Sequence, residues 1–256
     1  LFSHGRQPCN EQFKKMCERK LFIRPFYRYL WMCNQIIPFG SMHTVKIATV
    51  QSNSRDINGI LDKTNAHFSF TDDEELQGNK FLTQLGITNK DKYVCLVIRD
   101  SAYLAEKDKG SDYSYHDFRD VDINLFNKIA LALAEQGYWI FRMGKNVHKK
   151  MDVKHERIID YANTPYRNDF LDIWLMANCY FCINTGTGIG SVSEIFRKPN
   201  IFTSTLPIGP IPIPYNKYTM MLPKKIIYSR NKAPVSLTNQ IQNGSIEFQD
   251  TNKYLE

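Results

Sequence analysis

At 256 residues the chain has room for one large domain or two small ones with a real core, and 43% hydrophobic with 23% charged content is ordinary for a globular protein. No run of about 18 uncharged apolar residues occurs, so no membrane-spanning helix is expected. The formal net charge of +7 is unevenly placed: residues 1–46 carry eight Lys or Arg against Glu11 and Glu18, and residues 195–246 carry seven and no acid. Such fields attract anions. Nucleic acid is nevertheless not expected as a partner, because no recognised nucleic-acid module is present and aromatics do not interleave the later basic run.

The chain starts at Leu1 rather than Met, without a signal-peptide layout, and reads as a fragment whose N-terminus lies upstream. Residues 1–46 mix cations with Phe13, Phe22, Phe26, Tyr27, Tyr29, Trp31, Ile36 and Ile37. Two readings stay open: a helix lying in a membrane interface, or helices packed on their own domain. Residues 51–80 read as a polar connector, with a helix opening at Thr71, which caps, and Glu74, three residues on as in a capping box.

From Tyr93 strands and helices alternate. The pattern predicts strands at Tyr93–Ile98, Tyr138–Arg142, Arg157–Asp160, Tyr180–Ile183 and Asn200–Thr203, and helices at Asp122–Gln136, Asp169–Ala177 and Ser191–Phe196. This is the signature of an α/β fold, a Rossmann-like parallel sheet with helices on both faces. The six cysteines (Cys9, Cys17, Cys33, Cys95, Cys179, Cys182) are scattered, which favours a reducing, cytoplasmic setting. Cys179-x-x-Cys182 has no matching second pair, so buried free thiols are expected rather than zinc or redox chemistry.

The segment from Tyr180 to Pro199 carries the most chemistry. A short buried strand runs into Thr185-Gly186-Thr187-Gly188 and then a helix. Glycines there let backbone approach a ligand, helix-end N–H groups favour anions, and the Thr185 and Thr187 hydroxyls add donors. No Lys follows as in a Walker loop. Ser191 stands where a dinucleotide fingerprint needs its third glycine, and no acid follows Glu194 until Glu247. A phosphate cradle is the sharper reading and a plain strand–helix connector the other. In open α/β sheets ligands bind at the carboxyl ends of strands, and here those ends carry Arg99-Asp100, Arg142 and Lys145, Asp160-Tyr161, Asn184–Gly188 and Thr203-Ser204. The loop from Asp100 to Val121 is long for a strand–helix connection. Its Asp112, His116 and Asp117 are too loosely spaced to imply a metal, and a solvated or substrate-closing loop is expected.

Several strings together resemble a family of putative bacterial surface-polysaccharide glycosyltransferases. They are Tyr93-Val-Cys-Leu-Val-Ile-Arg-Asp-Ser-Ala-Tyr-Leu104, Tyr115-His-Asp-Phe-Arg119, Arg142-Met-Gly-Lys145, Ile158-Ile-Asp-Tyr-Ala162, Asp169-Phe-Leu-Asp172, Thr185-Gly-Thr-Gly188 and Phe196-Arg-Lys-Pro199. Leu61-Asp-Lys-Thr64 and His67-Phe-Ser-Phe-Thr71 resemble that family's linker. The resemblance implies the C-terminal half of a GT-B architecture with a fucosyltransferase-like donor domain. Residues 1–88 would be a mainly helical acceptor-side segment and linker, 89–232 the nucleotide-sugar domain, and 233–256 a tail. It implies that Arg99 grips the donor diphosphate, with Lys145 and the Thr185, Gly186, Thr187 and Gly188 backbone completing the clamp. Asp160, Tyr161 and Glu194 would lie near base or ribose. His116, Asp112 and Asp100 are the candidates for the general base that the acceptor hydroxyl needs. The family usually has His two residues before the arginine, and this chain has Val97 there.

The activity so implied moves a sugar from a nucleotide-sugar donor to a glycan or lipid-linked glycan acceptor. It needs no metal and no cofactor, because the cations stabilise the departing diphosphate. The expected place is the cytoplasm, at the inner face of the cell membrane if residues 1–46 touch lipid. The competing expectations are a sugar-nucleotide epimerase or hydrolase on the same scaffold and a non-catalytic nucleotide- or glycan-binding module.

Overall fold

A computed structural model describes residues 8–21, 26–43, 60–107, 112–209 and 218–255. Arg6, Phe22, Arg24 and Lys46 of the basic segment, and residues 51–59 of the expected connector, lie outside them. The helices are α1 (Glu11–Lys20), α2 (Tyr27–Ile36), α3 (Ile60–Lys63), α4 (Asp72–Gln84), α5 (Ala102–Lys107), α6 (Asn127–Glu135), α7 (Asp169–Asn178), α8 (Gly190–Ile195), α9 (Leu237–Gln242) and α10 (Thr251–Leu255). The strands are β1 (Tyr93–Val97), β2 (Trp139–Met143), β3 (Ile158–Ile159), β4 (Phe181–Asn184), β5 (Asn200–Thr203) and β6 (Thr219–Leu222).

Among the described residues these strands form one six-stranded sheet in the order β3-β2-β1-β4-β5-β6, with every pairing parallel. Strand periodicity explains why β1 is apolar at every position. Successive side chains point to opposite faces, and both faces are covered. Tyr93, Cys95 and Val97 enter one core with Phe141, Met143, Cys182 and α7, while Val94, Leu96 and Ile98 enter a second with Ile140, Ile183, Phe126 and Ala130. The expected helix over Asp122–Gln136 begins as a 3-10 turn (Ile123–Phe126) capped by the Asp122 carboxylate, then continues as α6.

Helix α7 is buried along Leu171–Ala177 because it lies between the sheet and two further helices, α1 and α4. Helix α4 opens with the expected capping box, Thr71 and Glu74 satisfying each other's backbone N–H groups. Gly78 lies flat on the indole of Trp174, where a Cβ would overlap the ring. The Trp174 Nε1–H donates to Glu75 of the same helix at 2.9 Å. Met16 of α1 and Phe81 of α4 therefore belong to the same core as β1. Cys95, Cys179 and Cys182 are buried free thiols. β6 was not anticipated; it is an edge strand with Met220 and Leu222 turned to solvent.

Candidate functional site

The strand order makes a topological switch point between β1 and β4: the chain leaves β1 toward β2 on one side and β4 toward β5 on the other. The carboxyl ends of two such strands diverge into a crevice where ligands of open α/β sheets bind. Here the two ends stay joined past the ladder. The Thr185 N–H donates to the Val97 carbonyl at 3.1 Å, and the Arg99 N–H donates to the Thr185 hydroxyl oxygen at 2.8 Å. Arg99 and the glycine turn, predicted from separate stretches, are thus neighbours.

The turn is held from below and from the side. The buried Asn184 side-chain Oδ1 accepts from the Gly186 N–H at 2.8 Å, and its Nδ2 donates to Asn200 Oδ1 at 2.9 Å. The Ser193 hydroxyl on α8 lies within hydrogen-bond reach of both the Gly190 carbonyl, at 2.6 Å, and Asn200 Oδ1, at 3.0 Å, and donates its one proton to either. A Cβ on Gly190 would press on the Asn184 amide, so the close approach requires glycine. Gly186 takes φ +79°, where a side chain is strained. From the side, the Arg119 guanidinium donates to the Gly186 carbonyl at 2.7 Å. The N–H groups of Thr187 and Gly188 meet no acceptor among the described residues.

Cations gather beside the turn. Arg99 Nε lies 3.2 Å from Asp120 Oδ1, close enough for an ion pair but without hydrogen-bond alignment. Burial raises the Asp120 carboxyl above its ordinary value despite Arg99. The Lys224 ammonium donates to the Phe118 and Asp120 carbonyls at 2.7 and 2.8 Å. Arg99 thus approaches the Asp120 carboxylate while Lys224 holds the backbone on either side of Arg119, which brings cations from two further segments beside the turn.

Arg99 and the turn open onto a cavity of about 610 Å³, within the roughly 300–1,000 Å³ of small-molecule sites. Val97–Asp100 form its floor, Met143–Val147 one wall, Thr187, Gly188 and the face of α8 another. The remaining wall comes from residues 8–17, the segment entering α1 and its first turns. That segment is pinned at Asp169. The Asn10 amide donates to the Asp169 carbonyl (2.8 Å) and the Glu11 N–H to its carboxylate (2.9 Å). Lys145 lines the same cavity and reaches the Cys9 carbonyl at 3.2 Å and Asp169 at 3.4 Å. Burial would raise the Asp169 carboxyl, yet the Glu11 N–H, Lys145 and Arg167 hold it below the ordinary carboxylate range.

Of the residues singled out in the sequence, Arg99, Asp100, Lys145, Thr187 and Gly188 line this cavity, and Thr185 and Gly186 lie directly behind it. Of the other proposed site residues, Asp112, His116, Asp160, Tyr161 and Glu194 do not line it. The Asp100 carboxylate accepts from the N–H groups of Ala102 (2.8 Å) and His148 (2.7 Å), so both its oxygens already serve as caps. Asp112 is exposed and accepts from the Ser114 N–H. His116 lies in the 3-10 helix Ser114–Arg119, against the Tyr115 ring and with Nδ1 unpartnered; burial, then Arg119 and Arg99, lower its basicity. Asp160 pairs with the fully buried Arg142 at 3.2 Å and accepts from the Met151 N–H and the Asn163 amide. Tyr161, expected near a nucleoside, is instead buried in the core against Phe81 and Phe141, its hydroxyl on Asp172 at 3.1 Å. Glu194 stands on α8 beside the cavity-lining Ser191 and Ile195, and burial lifts its carboxyl to about 7. No cluster of three or more His, Cys, Asp or Glu able to hold a metal occurs among the described residues.

Comparison with known proteins adds little. No family profile matches the chain, and no curated protein matches it. Among solved structures it is similar to a glycosyl transferase family 9 protein from Veillonella parvula, at 15% identity and a TM-score of 0.45, over 76% of this chain. The match covers 53% of that protein, so the chain spans about half its length.

Proposed function

We propose that this chain binds the nucleotide-sugar donor of a glycosyltransferase and grips its diphosphate at the junction of β1 and β4. One observation carries the reading: the Arg99 N–H sits on the Thr185 hydroxyl, so a cation and a glycine turn with free amides face one cavity at the switch point. The strings that resemble the bacterial polysaccharide glycosyltransferases fall on these same elements, and the net positive charge favours an anionic donor.

In the proposed reaction the Arg99 guanidinium, the Thr187 and Gly188 amides and Lys145 neutralise the charge that grows on the departing nucleoside diphosphate. These groups are fixed before the substrate arrives, so little reorganisation opposes the transfer. Arg119 keeps the turn in place through Gly186. Glu194, the carboxyl that α8 carries beside the cavity, would take the ribose hydroxyls, and the acceptor is a glycan or lipid-linked glycan. Fixed cations do the work a divalent metal does elsewhere, so transfer should survive a chelator. A bacterial, cytoplasmic setting in polysaccharide synthesis completes the proposal.

A thermal-shift series with UDP, GDP, ADP and CMP, followed by transfer from a labelled sugar nucleotide, tests it. Stabilisation by a nucleoside diphosphate, lost in Arg99→Ala, is expected; indifference to all four nucleotides ends the reading. A second reading, a non-catalytic binding module, is favoured by one fact. Of the three candidate bases only Asp100 lines the cavity, and its oxygens are occupied by backbone N–H groups. Nucleotide binding without transfer or release of label would select it.

A further inference from the structure

Helix α2 and the 3-10 turn after it (Gly40–His43) carry a run of exposed large apolar side chains. Ile36 is 83% exposed, Phe39 78%, and Trp31 57%, and Tyr29, Met32 and Ile37 are exposed with them. A helix this apolar is ordinarily buried, yet among the described elements α2 packs chiefly on its own following turn. There Asn34 donates to the Gly40 carbonyl at 2.8 Å. Contiguous exposed apolar surface of this kind marks a docking site.

We propose that this face docks on an anionic lipid surface. Charge selects the occupant. Between Glu18 and Asp56 the sequence has no acid, while Arg19, Lys20, Arg24, Arg28, Lys46 and Arg55 are all basic. A protein partner's patch is ordinarily matched by charges of both signs, whereas a stretch of sequence with six cations and no acid that also carries exposed Trp, Tyr and Phe suits phosphate headgroups above acyl chains. The spacing agrees in part: Tyr29, Met32 and Ile36 fall on one arc of the helix, with Trp31, Asn34 and Gln35 off it. At about 1.5 Å per residue, this ten-residue helix is about 15 Å long. It is therefore too short to cross a bilayer and would lie in the interface plane. The inference stands apart from the glycosyl-transfer reading, since it uses no residue of the cavity.

Flotation of the full chain with two vesicle types tests the proposal, one of phosphatidylcholine alone and one with about a third phosphatidylglycerol. Expected are at least about tenfold stronger binding to the anionic vesicles, weakening in high salt, and loss of about tenfold or more in Met32→Glu/Ile36→Glu. Both positions are exposed, so folding should be unchanged, and circular dichroism checks this. Failure to float with anionic vesicles overturns the proposal, as does equal binding by the double variant. A concentration-dependent dimer abolished by the same substitutions, without vesicle binding, would also overturn it and assign the face to a second copy.

Discussion

The Nη2 of Arg119 donates to the carbonyl oxygen of Gly186 at 2.7 Å, tying the long loop after β1 to the bend after β4. Arg119 closes the 3-10 helix that carries His116, so a rim loop and the phosphate-type turn move as one unit. A charge-assisted hydrogen bond of this kind contributes about 1.5–3 kcal/mol. Arg119→Ala should therefore weaken nucleoside diphosphate binding by about tenfold or more, with a smaller loss for Arg119→Lys, which keeps the charge but not the fork. Isothermal titration of the variants against UDP or GDP checks this, and unchanged affinity would separate the loop from the site.

Arg99 is expected to do more than hold its neighbour. Its backbone fixes the junction through Thr185, and backbone is indifferent to the side chain. Arg99→Ala should leave the turn in place while raising the dissociation constant for a nucleoside diphosphate about ten- to a hundredfold. Arg99→Gln should behave alike, because the charge is what acts. The control is thermal stability without nucleotide, which should change much less than affinity.

The sheet was legible because its strands are buried on both faces and therefore read as unbroken apolar runs between glycines and caps. Five of the six strands and the capping box at Thr71 follow from such local signals. β6 did not, because an edge strand with Met220 and Leu222 in solvent has no apolar run to announce it. At the site, the convergence of Arg99 with the glycine turn followed from parallel topology alone. Asp160 and Tyr161 show where such reasoning stops. Both follow a strand end, but Arg142 beneath them needs a counter-ion and the Tyr161 ring fills the core. Arg119, Asn184 and Asn200 were not singled out for the bonds they make, since these join residues distant in sequence or buried under the turn. The cavity wall formed by residues 8–17 is likewise a tertiary fact without a local signal.

Glu194 should make stability depend on pH. Burial lifts its carboxyl from an ordinary 4.5 to about 7. The unfolded chain therefore releases this proton first, and stability falls as pH rises from about 4.5 to about 7. The linked cost is at most about 3 kcal/mol at pH 8, less once residual solvent contact is counted. Glu194→Gln should raise Tm at pH 8 and converge with the parent near pH 5. Thermal melts across that range decide it, and a constant offset at every pH would remove the titration from the explanation.

Asp169 latches the first helix onto the cavity by receiving the Glu11 N–H, Lys145 and Arg167. Asp169→Ala removes all three at once, while Lys145 keeps its bond to the Cys9 carbonyl and the Asn10 amide its bond to the backbone carbonyl of residue 169. Limited proteolysis should then cut within residues 8–20 faster in the variant than in the parent, with the core strands resistant in both. Because its folded carboxyl is held below the ordinary range, the latch is present at neutral pH and lost as pH falls through its own lowered value. Cleavage of the parent should accordingly rise in acid, and Asp169→Ala should show little such rise.

Gly78 and Trp174 test the packing of α4 on α7 without touching the cavity. Any Cβ at position 78 overlaps the indole, and that ring, buried in the core and bonded to Glu75, has little room to yield. In an exposed helix Gly→Ala ordinarily gains about 1 kcal/mol. Here overpacking reverses the sign, at a cost of about 1–3 kcal/mol or more. Trp174→Leu alone should also destabilise, because it opens a cavity and strands the Glu75 acceptor. The two changes share one volume, so the double variant should be more stable than the sum of single losses implies. Urea unfolding of the four proteins measures the coupling, and strict additivity would mean that the ring moves aside freely.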